Sequence, residues 1–137
     1  MYNYIPLGVK LDYHTSILLM SNHSPITDRT KSFAIRIIKA CSFLSTQSDV
    51  SRTLSRQLLR SGTSIGANVR EAQSAQSDKD FINKLEIALK EARETQYWIE
   101  ILIESGIVKG EKFAPLLQEA NEIGKILVAS TAKLKQK

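Results

Sequence analysis

The amino-acid sequence predicts an all-α protein that folds as an antiparallel up-down-up-down four-helix bundle. Apolar residues recur at steps of three and four from residue 26 almost to the C-terminus, and no sustained alternating pattern of a β-strand interrupts them. The helical stretches are long and the segments between them short, which favours antiparallel neighbours. We therefore expect one bundle domain over residues 26–137, preceded by an irregular extension over residues 1–25.

Two signals delimit the first pair of helices. Thr27 followed by Asp28 is a typical helix start. A polar loop at residues 46–49 then separates the first helix from the second, which we expect over residues 50–73. The predicted core positions are Phe33, Ile37, Ala40 and Leu44, with Ala34, Ile38 and Cys41 widening the apolar face, and then Leu54, Leu58, Ser61, Ile65, Val69 and Ala72.

Serine and glycine residues delimit the second pair. Ser77, with Asp80 three residues later, resembles a capping box and predicts the start of the third helix. Ser105 and Gly106 end that helix, and Gly110 precedes the fourth. The predicted core positions are Phe81, Leu85, Ala88, Ala92, Ile99 and Leu102 or Ile103, and then Phe113, Leu116, Leu117, Ala120, Ile123, Leu127 and Leu134.

The composition excludes several classes of protein. Apolar residues make up 42% and charged residues 24%, which is typical of a soluble globular domain. The one cysteine forms no intrachain disulfide, and with two histidines it supplies too few ligands for a zinc site. No apolar run is long enough for a signal peptide or a membrane span. We therefore expect a cytoplasmic protein without metal, cofactor, small-molecule substrate or membrane partner.

Residues 62–66 spell G-x-S-x-G, the nucleophile-elbow pattern of α/β-hydrolases. That chemistry needs a strand before the serine and a histidine base after it. A helical pattern runs through Ser64 instead, and both histidines, His14 and His23, precede it. Cys41 lies beside the apolar face, where a buried structural thiol is expected. We assign Ser64 to packing, predict no catalytic residue, and expect a protein that is not an enzyme.

The outer side of the second helix is predicted to be basic. At about 100° per residue, its four arginines fall within about 80° of one another, opposite the apolar seam. Arginine binds phosphate with two parallel hydrogen bonds, and the whole chain has a net charge of +5. The alternative is a solvated or interhelically paired face. The candidate nucleic-acid-binding residues are Arg52, Arg56, Arg60 and Arg70.

The third helix carries large apolar groups on a second face. These groups are Ile87, Tyr97, Trp98 and Ile101, and they point away from the core seam. Because monomers seldom leave such a face in water, we expect a homo-oligomer with Trp98 as the anchor of the interface. The alternative is that the bundle twists enough to cover these groups itself.

Two stretches of the chain resemble a known protein family. They are RSGTSIGANVREA at residues 60–72 and FINKLEIALKEARETQYW at residues 81–98. They resemble the bacterial four-helix-bundle proteins encoded in intervening sequences of 23S ribosomal RNA genes, a family that includes the accessory variability protein of diversity-generating retroelements. The resemblance covers residues 26–134. It implies a ring-like homopentamer with a basic surface and no enzymatic activity.

The function expected from these observations is that of a non-catalytic nucleic-acid-binding adaptor. RNA is the first candidate ligand, and binding is expected to be tolerant of sequence because phosphate contacts carry no base information. A ring of subunits multiplies the weak contribution of each basic face. The alternative is a structural oligomer that binds a protein partner, such as a retroelement reverse transcriptase.

Overall fold

The computed structural model describes residues 25–136 as four α-helices joined by short loops. These helices are α1 (Pro25–Leu44), α2 (Asp49–Ala72), α3 (Asp78–Glu104) and α4 (Gly110–Lys135). Within these residues there is no strand. None of the four helices is both long and apolar enough to cross a membrane. The all-α prediction is confirmed, whereas the predicted extension lies, except for Pro25, outside the described residues.

Local signals mark the starts of α2 and α3 and the end of α3 close to the predicted positions. The Ser48 hydroxyl accepts a hydrogen bond from the Ser51 amide at 3.0 Å at the start of α2. The Ser77 hydroxyl accepts one from the Asp80 amide, also at 3.0 Å, which confirms the predicted cap of α3. After α3, Gly106 adopts a φ of +78°, a conformation that side-chain-bearing residues rarely take. Local sequence therefore sets where the chain turns.

The helices form a closed bundle in which each neighbour in sequence is a neighbour in space. α1 packs on α2, α2 on α3 and α3 on α4, and a smaller contact between α4 and α1 closes the ring. Across that last seam, Arg29 donates two hydrogen bonds of 2.7 Å to the Glu119 carboxylate. The guanidinium holds the pKa of Glu119 below its ordinary value. A bidentate ion pair thus joins the two helices whose mutual contact is the smallest of the four seams of the ring.

The predicted apolar seams meet in one core. Leu54 and Ala40 are only partly buried, and Ile38, predicted on the apolar face, is 48% exposed. Ile38 lies about 100° around α1 from Ile37, beyond the narrow stripe that a four-helix core covers. The largest fully buried side chains are Phe33, Phe81, Ile37, Leu44, Leu58, Ile65, Leu85, Ile99, Leu102, Ile123, Leu127 and Val69.

The G-x-S-x-G pattern lies inside α2, and its glycines admit α1 at close range. A Cβ built on Gly62 would lie 2.7–3.0 Å from three side-chain carbons of Ile37, and one on Gly66 would lie 3.2 Å from the Thr30 carbonyl oxygen. The Ser64 hydroxyl donates to the Arg60 carbonyl at 2.5 Å, within the same helix. The pattern therefore serves helix packing here, at a cost of about 1 kcal/mol in helix propensity for each glycine.

We predict that Gly62→Ala destabilises the fold. The added methyl group forces Ile37 out of its position, and overpacking of this kind costs about 1–3 kcal/mol, against about 1 kcal/mol of helix propensity gained. Urea unfolding followed by circular dichroism measures the difference. The control is Gly124→Ala, whose Cβ meets only the flexible amide end of Gln96 at 3.1 Å. Equal or greater stability of Gly62→Ala relative to that control contradicts the close-packing role of Gly62.

Candidate nucleic-acid interface

The four predicted arginines all lie on the exposed outer side of α2, but they face different neighbours. Arg52 and Arg56 line a groove between α1 and α2, and Arg70 lines a second groove farther along the same seam. Arg60 reaches the other way, to α3. The structure therefore brings three of the arginines to one seam and separates the fourth from them.

Arg60 forms ion pairs with two carboxylates of α3. Its guanidinium donates to Glu91 at 3.2 Å and to Glu94. The Trp98 indole nitrogen donates to the same Glu94 carboxylate at 3.3 Å. These hydrogen bonds, that of Arg60 above all, lower the pKa of Glu94. Arg60 thus forms interhelical ion pairs, which is the alternative stated for this face from the sequence. Phosphate binding by Arg60 stays a prediction.

Arg52 is engaged more weakly than Arg60. It donates to the Asp49 carboxylate at 2.9 Å, one turn earlier in α2, and to the Ser45 carbonyl at 3.3 Å. The side chain of Asp49 is almost entirely in solvent. Ion pairs between exposed groups are worth about 0–1 kcal/mol. Arg52 can therefore exchange this partner for a phosphate at little cost.

Arg56 and Arg70 have no ion-pair partner in the part of the chain that the structure describes. They are 14 residues apart, which corresponds to about 21 Å along the helix axis. The grooves beside them have volumes of about 310 and 150 Å³, and Lys31 from α1 lines the groove of Arg70. Among the described residues that line these grooves, none is acidic. Both arginines are therefore open to an anionic ligand.

The contribution of α1 was missed by the sequence reasoning. Four basic residues against Asp28 give α1 a net charge of +3, and four arginines against two acids give α2 a net charge of +2. By contrast, α3 has a net charge of −3. The signal, an excess of basic over acidic residues in the first helix, is present in the sequence, but the prediction rests on the second helix alone. Of the α1 cations, Lys31 lines the groove of Arg70, whereas Arg29 pairs with Glu119 of α4.

Three exposed aliphatic side chains lie on α1 and α2, and two of them, Ile38 and Leu59, line the groove of Arg56. Ile35 and Ile38 project from α1, and Leu59 from α2. We call the surface formed by Lys31, Arg52, Arg56 and Arg70 together with these three residues the α1–α2 face. Beneath it, the buried Cys41 thiol donates to the Ser55 carbonyl at 3.3 Å, and burial raises its pKa to about 11. Cys41 is thus a neutral packing residue, as predicted.

The residues predicted for the oligomer interface differ in their exposure. Trp98 is half-buried, packs against the core of its own bundle and contacts the Tyr97 ring edge to face at 5.2 Å. Ile87 and Ile101 are also half-buried. Tyr97 keeps 54% of its surface exposed. The bundle thus covers part of this face itself, and Tyr97 is the side chain that stands out from it.

These observations define a small all-α protein built as a four-helix bundle. The family described as 23S rRNA-intervening sequence protein matches residues 23–129. The chain belongs to this family, as its sequence predicted. It is similar to a protein of unknown function from the S23 ribosomal protein family of Bacteroides thetaiotaomicron VPI-5482, whose crystal structure is known. The two are 46% identical with a TM-score of 0.74, over 78% of this chain and 95% of that one. No curated protein matches the chain.

The ion pair at Arg60 makes a prediction about acid stability. In the folded protein the pKa of Glu94 is lower than its ordinary value of 4.5. Its ionised form therefore stabilises the fold above pH 4.5, and this stabilisation is lost as the pH falls through the lowered pKa of the folded state. Glu94→Gln is expected to lose less thermal stability than the parent between about pH 5 and pH 3. At neutral pH the variant loses at most about 1 kcal/mol, because the pair is partly exposed.

Melting curves recorded by circular dichroism across this pH range test the prediction. The control is Glu100→Gln on the same helix, since Glu100 is exposed and has no ion-pair partner in the described residues. It should keep the pH dependence of the parent. If Glu94→Gln also keeps that pH dependence, the ion pair does not stabilise the fold.

Proposed function

We propose that the protein is a non-catalytic, homo-oligomeric nucleic-acid-binding adaptor whose α1–α2 face contacts phosphates, with RNA as the first ligand. The observation that carries the proposal is the exposure of Arg56 and Arg70 on the seam of α1 and α2. Within residues 25–136, neither arginine has an ion-pair partner and no acidic residue lines the grooves of this seam. The family description, which links these proteins to ribosomal RNA genes, supports the choice of RNA.

The geometry of the face favours contacts to the backbone of a nucleic acid over contacts to its bases. The distance of about 21 Å between Arg56 and Arg70 corresponds to about six phosphates of one strand along the axis of a duplex, at ~3.4 Å each. Arg52 and Lys31 add charge near the two ends. Among the described residues, no aromatic side chain lines these grooves to stack on bases. Binding is therefore expected to be electrostatic, salt-sensitive and tolerant of sequence.

Assembly into a homo-oligomer is part of the proposal. One subunit offers only a few phosphate contacts, and linked copies bind a long ligand with an effective concentration that raises the overall affinity by orders of magnitude. The outer side of α3 supports self-association because Tyr97 stands out from it beside the half-buried Ile101. Tyrosine is enriched in the centres of protein interfaces.

A second candidate function is a structural oligomer that binds a protein partner, such as a retroelement reverse transcriptase. The exposed Ile35, Ile38 and Leu59 on the α1–α2 face favour it, because phosphates do not cover aliphatic side chains. The two functions differ in what the arginines do. A protein partner depends on the apolar residues, and nucleic acid depends on the cations.

We predict that Arg56→Gln combined with Arg70→Gln weakens binding of a fluorescein-labelled single-stranded RNA by at least about tenfold, since two charged hydrogen bonds are lost. The slope of log affinity against log salt should shrink by about 1.4 per subunit. Fluorescence anisotropy at several salt concentrations, with two unrelated RNA sequences and their DNA counterparts, measures both quantities. The loss should be similar for both RNA sequences.

The matched control is Lys112→Gln combined with Lys133→Gln on α4, which removes the same charge from exposed positions elsewhere. It should bind within about twofold of the parent if specific contacts rather than net charge matter. Arg60→Gln tests the remaining arginine of the original set. Parent-like affinity and slope in the Arg56 and Arg70 double variant would show that this face does not hold phosphate.

We predict that the parent protein is an oligomer well above the monomer mass of 15.3 kDa, and that Tyr97→Asp dissociates it without loss of helicity. A carboxylate at this position would lose its water and remain unpaired when the interface forms, which opposes association. Light scattering at micromolar concentration and far-ultraviolet circular dichroism give the two readouts. Phe43→Asp, at an exposed site on α1, is the control and should leave the mass unchanged. A monomeric parent refutes the assembly.

A further inference from the structure

A groove runs between α3 and α4, on the side of the bundle opposite the α1–α2 face. It consists of two adjoining concavities of about 430 and 380 Å³ that share Leu89 and Arg93. Each volume falls within the range of about 300–1,000 Å³ that is typical of ligand sites. On α4 the groove extends from Asn121 to Lys135, a distance of about 21 Å at 1.5 Å per residue. It is long enough for four turns of a helix.

The floor of the groove is apolar and is shaped by a glycine. Gly124 is buried on α4 and has no side chain to fill the space in front of Gln96, whose amide nitrogen lies 3.1 Å from the ideal Cβ position. Gln96 donates to the Ala120 carbonyl at 3.3 Å. Leu89 packs against the core at the other edge, and Val128 is 43% exposed. Aliphatic surface therefore remains accessible at the bottom of the groove.

The rim of the groove is basic. Four cations line it against one lining carboxylate, that of Glu86, which pairs with Lys135. Lys125 pairs with Glu122 at 3.3 Å, just outside the groove. Lys90 and Arg93 have no ion-pair partner within residues 25–136. The acidic helix α3 thus presents Lys90 and Arg93 to this groove, while Glu91 and Glu94 pair with Arg60 of α2.

We propose that this groove binds an acidic amphipathic helix of a partner protein. Apolar side chains of that helix enter between Gly124 and Val128, and its carboxylates contact Lys90 and Arg93. Apolar anchors spaced along one face are the usual means by which a helix occupies a groove. Nucleic acid meets only half of this requirement, because its phosphates satisfy the rim but leave Leu89 and Val128 uncovered. The site is independent of the α1–α2 face.

The probe is a fluorescein-labelled synthetic helix of about 16 residues, with leucines at i, i+4, i+7 and i+11 and glutamates on both flanks. A second peptide carries lysine in place of every glutamate. The acidic peptide is expected to bind the full chain with a Kd in the range of about 1–100 μM, and the basic peptide at least about tenfold more weakly. Absence of binding by the acidic peptide at about 1 mM protein overturns the proposal.

Two substitutions at exposed positions locate the site. Val128→Glu and Arg93→Glu should each weaken binding of the acidic peptide by at least about tenfold, because one removes apolar contact and both repel carboxylates. Far-ultraviolet circular dichroism checks that both variants fold. Arg56→Glu, the same charge reversal on the opposite face, is the matched control and should bind the peptide within about twofold of the parent.

The same variants distinguish this site from the α1–α2 face. Val128→Glu and Arg93→Glu should keep the RNA affinity of the parent to within about threefold, whereas Arg56→Gln with Arg70→Gln should keep its peptide affinity. Peptide binding that survives both groove substitutions, or that is lost only in Arg56→Glu, overturns the proposal. So does loss of RNA binding in Arg93→Glu with displacement of the peptide by RNA, since the groove is then a nucleic-acid site.

Discussion

The close contact between Ile37 and Gly62 sets the spacing of α1 and α2, and the candidate site depends on that spacing. Because Gly62 has no Cβ, the Ile37 side chain packs directly against the backbone of α2. The Thr30 carbonyl meets Gly66 one turn farther along in the same way. This approach places Lys31 beside the groove of Arg70. The positions of Gly62 and Gly66 in α2 therefore allow α1 to add Lys31 to the basic surface.

The distribution of paired and unpaired charges matters more here than the net charge of +5. On the flanks where helices meet, charges are used within the bundle, by Arg60 with the α3 carboxylates and by Arg29 with Glu119. Such pairs orient neighbouring helices and lower the pKa values of Glu94 and Glu119. Other cations line the described grooves and have no ion-pair partner within residues 25–136. They are Lys31, Arg56, Arg70, Lys90 and Arg93.

The fold could be predicted from the sequence because one apolar period persists through each helix and because Ser77 and Gly106 mark ends by local chemistry. The surroundings of a surface residue could not be predicted in this way. A helical wheel places Arg60 only about 80° from Arg52, yet that angle separates contact with α3 from contact with the α1 seam. The wheel also turns Trp98 away from the core, although a side chain of that size reaches back to it.

The two proposed binding surfaces lie on opposite seams of the same closed ring of helices, and this arrangement is what an adaptor requires. A ligand on the seam of α1 and α2 does not occupy the seam of α3 and α4, so neither excludes the other by contact. Phosphate contacts weaken steeply with salt, whereas burial of apolar anchors at Val128 and Leu89 does not. Under these two proposals, nucleic acid and a protein helix would be held by interactions of different physical origin, and rising salt would release the first before the second.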